Sequence, residues 1–166
     1  MAKQYGKNRD KLEVLLWSIA LPGFGQLLNH RYVKGLLLIA LEFIANVLGN
    51  FNEIIILSFR GDIQEAISQT NFGWLMFYPC LYFFAMWDAY KDAEGESKPY
   101  AFVPFVFSAY FVTVGLIFSP TFTIFGQLLG PMWLPMLGGV PVGLIIGGIL
   151  RWVLLKRLEK NRGTSL

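Results

Sequence analysis

GLLLIALEFIANVLGNFNEIIIL, residues 35–57, is the stretch that decides the fold class. Its 23 residues hold no Lys or Arg and only two carboxylates, Glu42 and Glu53. A helix rises about 1.5 Å per residue, so about 20 apolar residues cross the roughly 30 Å hydrocarbon core of a bilayer. This stretch is long enough. Three more candidates follow, at residues 72–90, 101–119 and 139–157. The expectation is an all-α polytopic membrane protein with four transmembrane helices.

The rest of the chain agrees. Of 166 residues, 55% are hydrophobic and 15% charged, and mean hydropathy is +0.50. Soluble domains carry about 25% charged residues, so a water-soluble monomer is a poor fit. One cysteine, Cys80, rules out an internal disulfide, and with His30 as the one histidine no zinc site is expected. Net charge is +3, but Lys and Arg gather at chain ends and short loops. That is the positive-inside pattern, and no nucleic-acid partner is expected. No P-loop, G-x-G-x-x-G, H-E-x-x-H or G-x-S-x-G motif occurs. Ser18, Ser58 and Ser108 lack a suitable base, so neither an enzyme nor a cofactor is expected.

Two further apolar segments are broken. Residues 12–28 contain Pro22-Gly23 and Gly25; residues 121–136 contain Gly126, Gly130, Pro131 and Pro135. Irregular backbone at membrane depth is tolerated only where protein or water satisfies it. Both segments therefore read as re-entrant or interfacial pieces, one inner and one outer. Charge sets the orientation. With residues 12–28 dipping in and returning, twelve of the fourteen Lys and Arg lie inside: Lys3, Lys7, Arg9, Lys11, Arg31, Lys34, Lys91, Lys98, Lys156, Arg157, Lys160 and Arg162. Arg60 lies outside and Arg151 within the last span. If residues 12–28 crossed instead, five loop charges would be inside and eight outside, against the rule. The reading is a multi-pass cell-membrane protein with both termini cytoplasmic. It forms one integral membrane domain, 1–166, divided into halves 12–93 and 94–166. Residues 1–20 mimic a signal peptide ending at Ser18-Ile19-Ala20, but the apolar run is short and the basic cluster at 30–34 makes a poor exported start.

At Pro22-Gly23-Phe24-Gly25-Gln26, Asn29 and Lys34-Gly35 the chain resembles bacterial two-transmembrane-helix hairpin proteins, whose signature is roughly P-G-x-G-Q-x-Y-N-x(4)-K-G. Trp87-Asp88-Ala89-Tyr90-Lys91 is similar to the D-A-Y/W-basic end of those hairpins. The likeness covers residues 12–93, with Leu28 where the pattern prefers Tyr. It implies a membrane hairpin and no particular activity.

Gly23 and Gly25 permit a tight turn, Pro22 ends a helix, and Gln26 and Asn29 can bond freed backbone groups. A built-in hairpin is the preferred reading. The alternative is a lipid-headgroup pocket in which Arg31 and Lys34 attract phosphate. His30 reads as a solvated interfacial residue. Glu42, Asn46 and Arg151 fall within spans, and intramembrane charges usually face the bundle interior. The expectation is an inner-leaflet polar cluster of Glu42, Asn46 and Arg151, with Asp88 at its mouth and Gln26 capping it. Gly139, Gly143 and Gly147, four apart, form a stripe for close helix packing, within the chain by default or in a homo-oligomer. Phe24-Gly25-Gln26-Leu27-Leu28 recurs as Phe125-Gly126-Gln127-Leu128-Leu129, a weak hint of inverted repeats. Ile55, Phe59, Ile63 and Ile67 suggest an outer amphipathic extension. Tyr32, Trp74, Tyr78, Tyr90, Tyr100, Trp133 and Trp152 suit interfacial belts.

The expected function is that of a small accessory or structural component of a bacterial cytoplasmic membrane. Lipid is its partner, with another membrane protein or a second copy as further candidates. The alternative is a small transporter using the polar cluster.

Overall fold

The structure, a computed structural model, describes residues 10–93 and 97–163, with side chains as far as Asn161. Lys3, Lys7 and Arg9 of the orientation count lie outside the described residues, as does the Arg162 side chain. The fold is all-α apart from one two-residue hairpin.

Helix α1, Lys11–Ala20, starts at Asp10, whose carboxylate accepts from the Leu12 N–H at 3.1 Å. It stops before Pro22, and Gly23 turns the chain at φ +102°, a conformation that glycine adopts without steric cost. A short α2, Phe24–Leu28, follows. Helix α3, Tyr32–Gly49, carries the first half of the deciding stretch. It does not run on to residue 57. Asn50 sits in the left-handed region at φ +61°, and α4, Phe51–Arg60, starts afresh. Asn tolerates that conformation, and its side chain is engaged, donating to the Gln69 carbonyl at 3.1 Å. The expected single span at 35–57 is therefore two helices.

Gly61 ends α4 and α5 covers Ile63–Gln69. The buried positions here are Ile54, Leu57, Ser58 and Ala66. The anticipated stripe of Ile55, Phe59, Ile63 and Ile67 flanks that face instead, with Phe59 exposed. Helices α6, Phe72–Leu75, and α7, Phe77–Asp92, meet at Met76, which keeps right-handed helical dihedrals. The expected span at 72–90 is thus one nearly continuous helical path. Helix α8 covers Val103–Phe118.

The outer broken segment differs from expectation. Thr123–Ile124 (β1) pairs antiparallel with Gln127–Leu128 (β2). From Gly130 the chain is already helical: α9, Gly130–Leu134, a π turn at Pro135–Gly139 and α10, Val140–Gly163. Pro131 fits because the first helical turn has no N–H partner to lose. Pro135 removes an internal N–H, and the helix answers with a wider turn rather than a break. The two Phe-Gly-Gln-Leu-Leu copies thus adopt different structures, a helix in one case and a hairpin in the other.

Among the described residues, two helical stretches are long and apolar enough to cross a membrane, Tyr32–Gly49 and Gly130–Asn161. Helix α8 is apolar but shorter. Indole Nε1 of Trp133 donates to the Ser58 carbonyl at 3.0 Å and its ring meets Phe59, tying α9 to α4.

Helices α8 and α10 pack backbone against backbone. A Cβ added to Gly139 would fall 2.7 Å from Val112 Cα, one on Gly147 2.6 Å from Pro104 Cα, and one on Gly143 would collide with Ser108 Cα. Pro104, Ser108 and Val112 are themselves four apart, so the glycine stripe mates with a matching row inside the chain. Gly148, next to the stripe, faces open space. Gly143→Leu should therefore cost about 1–3 kcal/mol or more through overpacking. It should lower the melting temperature of the detergent-solubilised protein, whereas Gly148→Leu leaves it nearly unchanged.

Candidate functional site

The polar side chains converge on the C-terminal half of α7. Helix α1 lies antiparallel to α7: Lys11 Nζ donates to the Tyr90 carbonyl at 3.3 Å, and the Tyr82 hydroxyl donates to the Ile19 carbonyl. The chain then turns at Pro22-Gly23 and α2 runs back along α7. Gln26 Nε2 donates to the Ala85 carbonyl at 2.8 Å, and Asn29 Nδ2 donates to the Ala89 carbonyl at 2.8 Å. Residues 11–29 thus rise along α7 and return to the end where they began.

Close approach makes the turn possible. A Cβ on Gly25 would run into Ser18 Oγ and lie 2.6 Å from Ala89 Cβ. One on Gly23 would be 2.5 Å from the Gly35 carbonyl oxygen, and one on Gly35 2.6 Å from the Leu27 side chain. Each glycine marks a crossing between α1, α2, α3 and α7 where a side chain does not fit. Pro22 is fully buried beside them.

At this end of α7 the charges pair. Asp88 is 7% exposed and accepts from Gln26 Nε2 at 3.2 Å and from Lys34 Nζ at 2.8 Å. Lys34 also reaches Asp92 at 3.1 Å, and Arg31 Nε approaches Asp92 at 3.5 Å. Asp88 and Asp92, one turn apart, present one acidic face to two cations. Arg31 and Lys34, the cations of the phosphate-pocket alternative, each lie beside a carboxylate while keeping at least half of their side-chain surface exposed. Gln26 has no exposed surface, and its Oε1 finds no hydrogen-bond donor among the described residues. His30 takes a left-handed conformation at φ +59° at the exposed turn, 3.0 Å from the Tyr32 hydroxyl.

The expected single cluster is divided. Gln26 and Asp88 meet, joined by Lys34. Glu42, 8% exposed, stands apart and accepts from the Tyr78 hydroxyl at 3.2 Å. Asn46 donates to Asn52 Oδ1 at 3.3 Å. Arg151 Nε donates to the Pro99 carbonyl at 3.3 Å and is not brought to Glu42. Pro99 precedes α8, so Arg151 fastens α10 to the start of its packing partner. Sequence reasoning missed Asp92 and Tyr78. Asp92 was legible as the residue one turn beyond Asp88. Tyr78 carried no such signal, since its distance from Glu42 depends on how α3 and α7 pack.

No family model, curated protein or solved structure matches the chain.

The arrangement predicts an order of severity. Gln26→Leu removes two buried donors and should cost about 1–3 kcal/mol. Gln26→Glu should cost more, because it sets a second carboxylate against Asp88 and the Ala85 carbonyl. Lys34→Met should cost less than breaking a fully buried pair, because its ammonium is half-exposed and screened. Melting temperatures of the three variants, measured in one detergent, check the ranking.

Proposed function

We propose that the chain is a four-pass protein of a bacterial cytoplasmic membrane, with both termini cytoplasmic, acting as a non-enzymatic accessory or structural component. One observation carries the membrane reading. The two longest apolar helical stretches are largely uncovered, with only 28% and 22% of their apolar windows buried. The core helix of a soluble protein has the opposite property. Leu36, Leu37, Phe43 and Val47 on α3, and Ile145, Ile149 and Trp152 on α10, all stand exposed. Apolar surface of that extent requires lipid or protein against it.

Helices α3, α6–α7, α8 and α9–α10 supply the four spans. Helix α8 is the shortest; its sixteen residues give about 24 Å, a mismatch that bilayer thinning accommodates at modest cost. Residues 101–150 contain no charged residue, which suits two spans and an uncharged outer connection. Residues 11–29 form the re-entrant inner hairpin. The likeness to two-helix hairpin proteins is consistent with this, because its two motifs, 22–35 and 87–91, are the parts that bond to each other.

The structural role is favoured over transport because the polar groups are spent on holding helices. Lys34, Asp88 and Gln26 join α2 and α3 to α7, Tyr78 and Glu42 join α7 to α3, and Arg151 joins α10 to the loop before α8. Lipid is the proposed partner on the exposed faces. A neighbouring membrane protein would dock on α3 or the outer face of α10, since α8 already covers the glycine stripe.

In a variant with Cys80→Ser, Ser97→Cys should react with an impermeant maleimide only after cells are permeabilised, and Gly126→Cys in intact cells. The reverse pattern contradicts the topology. Proteoliposomes of the purified protein should leak protons and potassium no faster than protein-free vesicles. A flux that disappears in Glu42→Gln would favour transport instead.

A further inference from the structure

Helix α1 covers α7 only from Tyr90 to Tyr82. Beyond its tip, Tyr78 and Pro79 on the next turn of α7 line a cavity of about 300 Å³. Its walls include Ala20 at the end of α1, Phe51 on α4, Tyr78 on α7, Leu116 on α8, and Met136 in the π turn. Among the described residues, no charged side chain lines it. The two hydroxyls it contains are both engaged, that of Tyr78 with Glu42 and that of Tyr82 with the Ile19 carbonyl. A polar ligand would find no free side-chain donor or charge there. A hydrocarbon chain would lose nothing by entering.

We infer that this cavity holds an acyl chain of an outer-leaflet phospholipid. The inference rests on the proposed membrane reading. In that setting the re-entrant hairpin fills only the inner half of the space beside α7, and the cavity is the outer half left over. It lies on the side of α4 and α9, which the proposed topology places outside. Hydrocarbon is the solvent at that depth, and apolar cavities of this size disfavour water. Pro131 of α9 and Pro135 of the π turn both line one wall and lack backbone N–H groups, and π turns recur where helices line binding sites.

The purified full chain, reconstituted in phosphatidylcholine vesicles carrying an acyl-chain diazirine, tests this. Illumination followed by mass spectrometry should label the buried Leu116 as well as the exposed α3 face at Leu36, Leu37 and Phe43. Ala20→Trp and Val112→Phe, which add bulk to the cavity walls, should reduce label at Leu116, which is 4% exposed, several-fold and leave the α3 face unchanged. Label on α3 without label at Leu116 in the wild type overturns the inference and keeps the membrane reading; a cavity filled by water or closed by a partner's side chains gives that result. Undiminished Leu116 label in both variants also overturns it. Absence of label on α3 overturns the membrane reading and this inference together. Should either variant lose its native helix content, the wild-type pattern decides alone.

Discussion

A helix that breaks or ends beneath a hydrocarbon surface must find partners for its freed backbone groups inside the protein. In the proposed membrane setting, that constraint organises the first half of this chain. Helix α1 ends after ten residues, half-way along α7, and the Tyr82 hydroxyl takes up one of its terminal carbonyls. The turn that follows is compressed by three glycines against α7 and α3, and Gln26, sealed from the exterior, bonds it to Ala85 and Asp88. The carboxylate of Asp88 is in turn neutralised by Lys34. The hairpin, the acidic face of α7 and the start of α3 therefore form one bonded unit.

The second half solves the same problem differently. Helices α8 and α10 approach so closely that glycines and Ser108 replace larger side chains along the seam, and the proline-rich approach to α10 becomes a π turn rather than an open loop. Between the halves the packing is less complete. The cavity beyond the tip of α1 follows from a hairpin shorter than the helix it lies against.

Much of this was legible in the sequence, and the parts that were not share a physical cause. The helical class, the turn at Pro22-Gly23 and the role of the stripe at Gly139, Gly143 and Gly147 follow from local chemistry: ring constraints, missing Cβ atoms and four-residue spacing. The meeting of Gln26 with Asp88 was anticipated from their placement toward the same side. The Glu42–Arg151 pairing was not found, because similar depth does not fix which faces of two helices meet; Arg151 turns to Pro99 and Glu42 to Tyr78. The break at Asn50 was passed over although Gly49-Asn50 and Asn52-Glu53 interrupt the apolar run there, because total length was given more weight than the turn signal. Pro131 and Pro135 misled in the opposite direction, since a helix's first turn and a π turn both accommodate proline.

The most direct test of the central claim, that lipid rather than protein or water covers the outward apolar faces, is a nitroxide scan along α3 in vesicles, with Cys80 replaced by Ser. Collision with oxygen reports hydrocarbon, and collision with a water-soluble nickel chelate reports water. Labels at Leu36, Leu37, Phe43, Ile44 and Val47 should collide freely with oxygen and poorly with nickel, while those at Leu38, Glu42 and Ala45 should be shielded from both. High nickel accessibility at the first set would contradict the account.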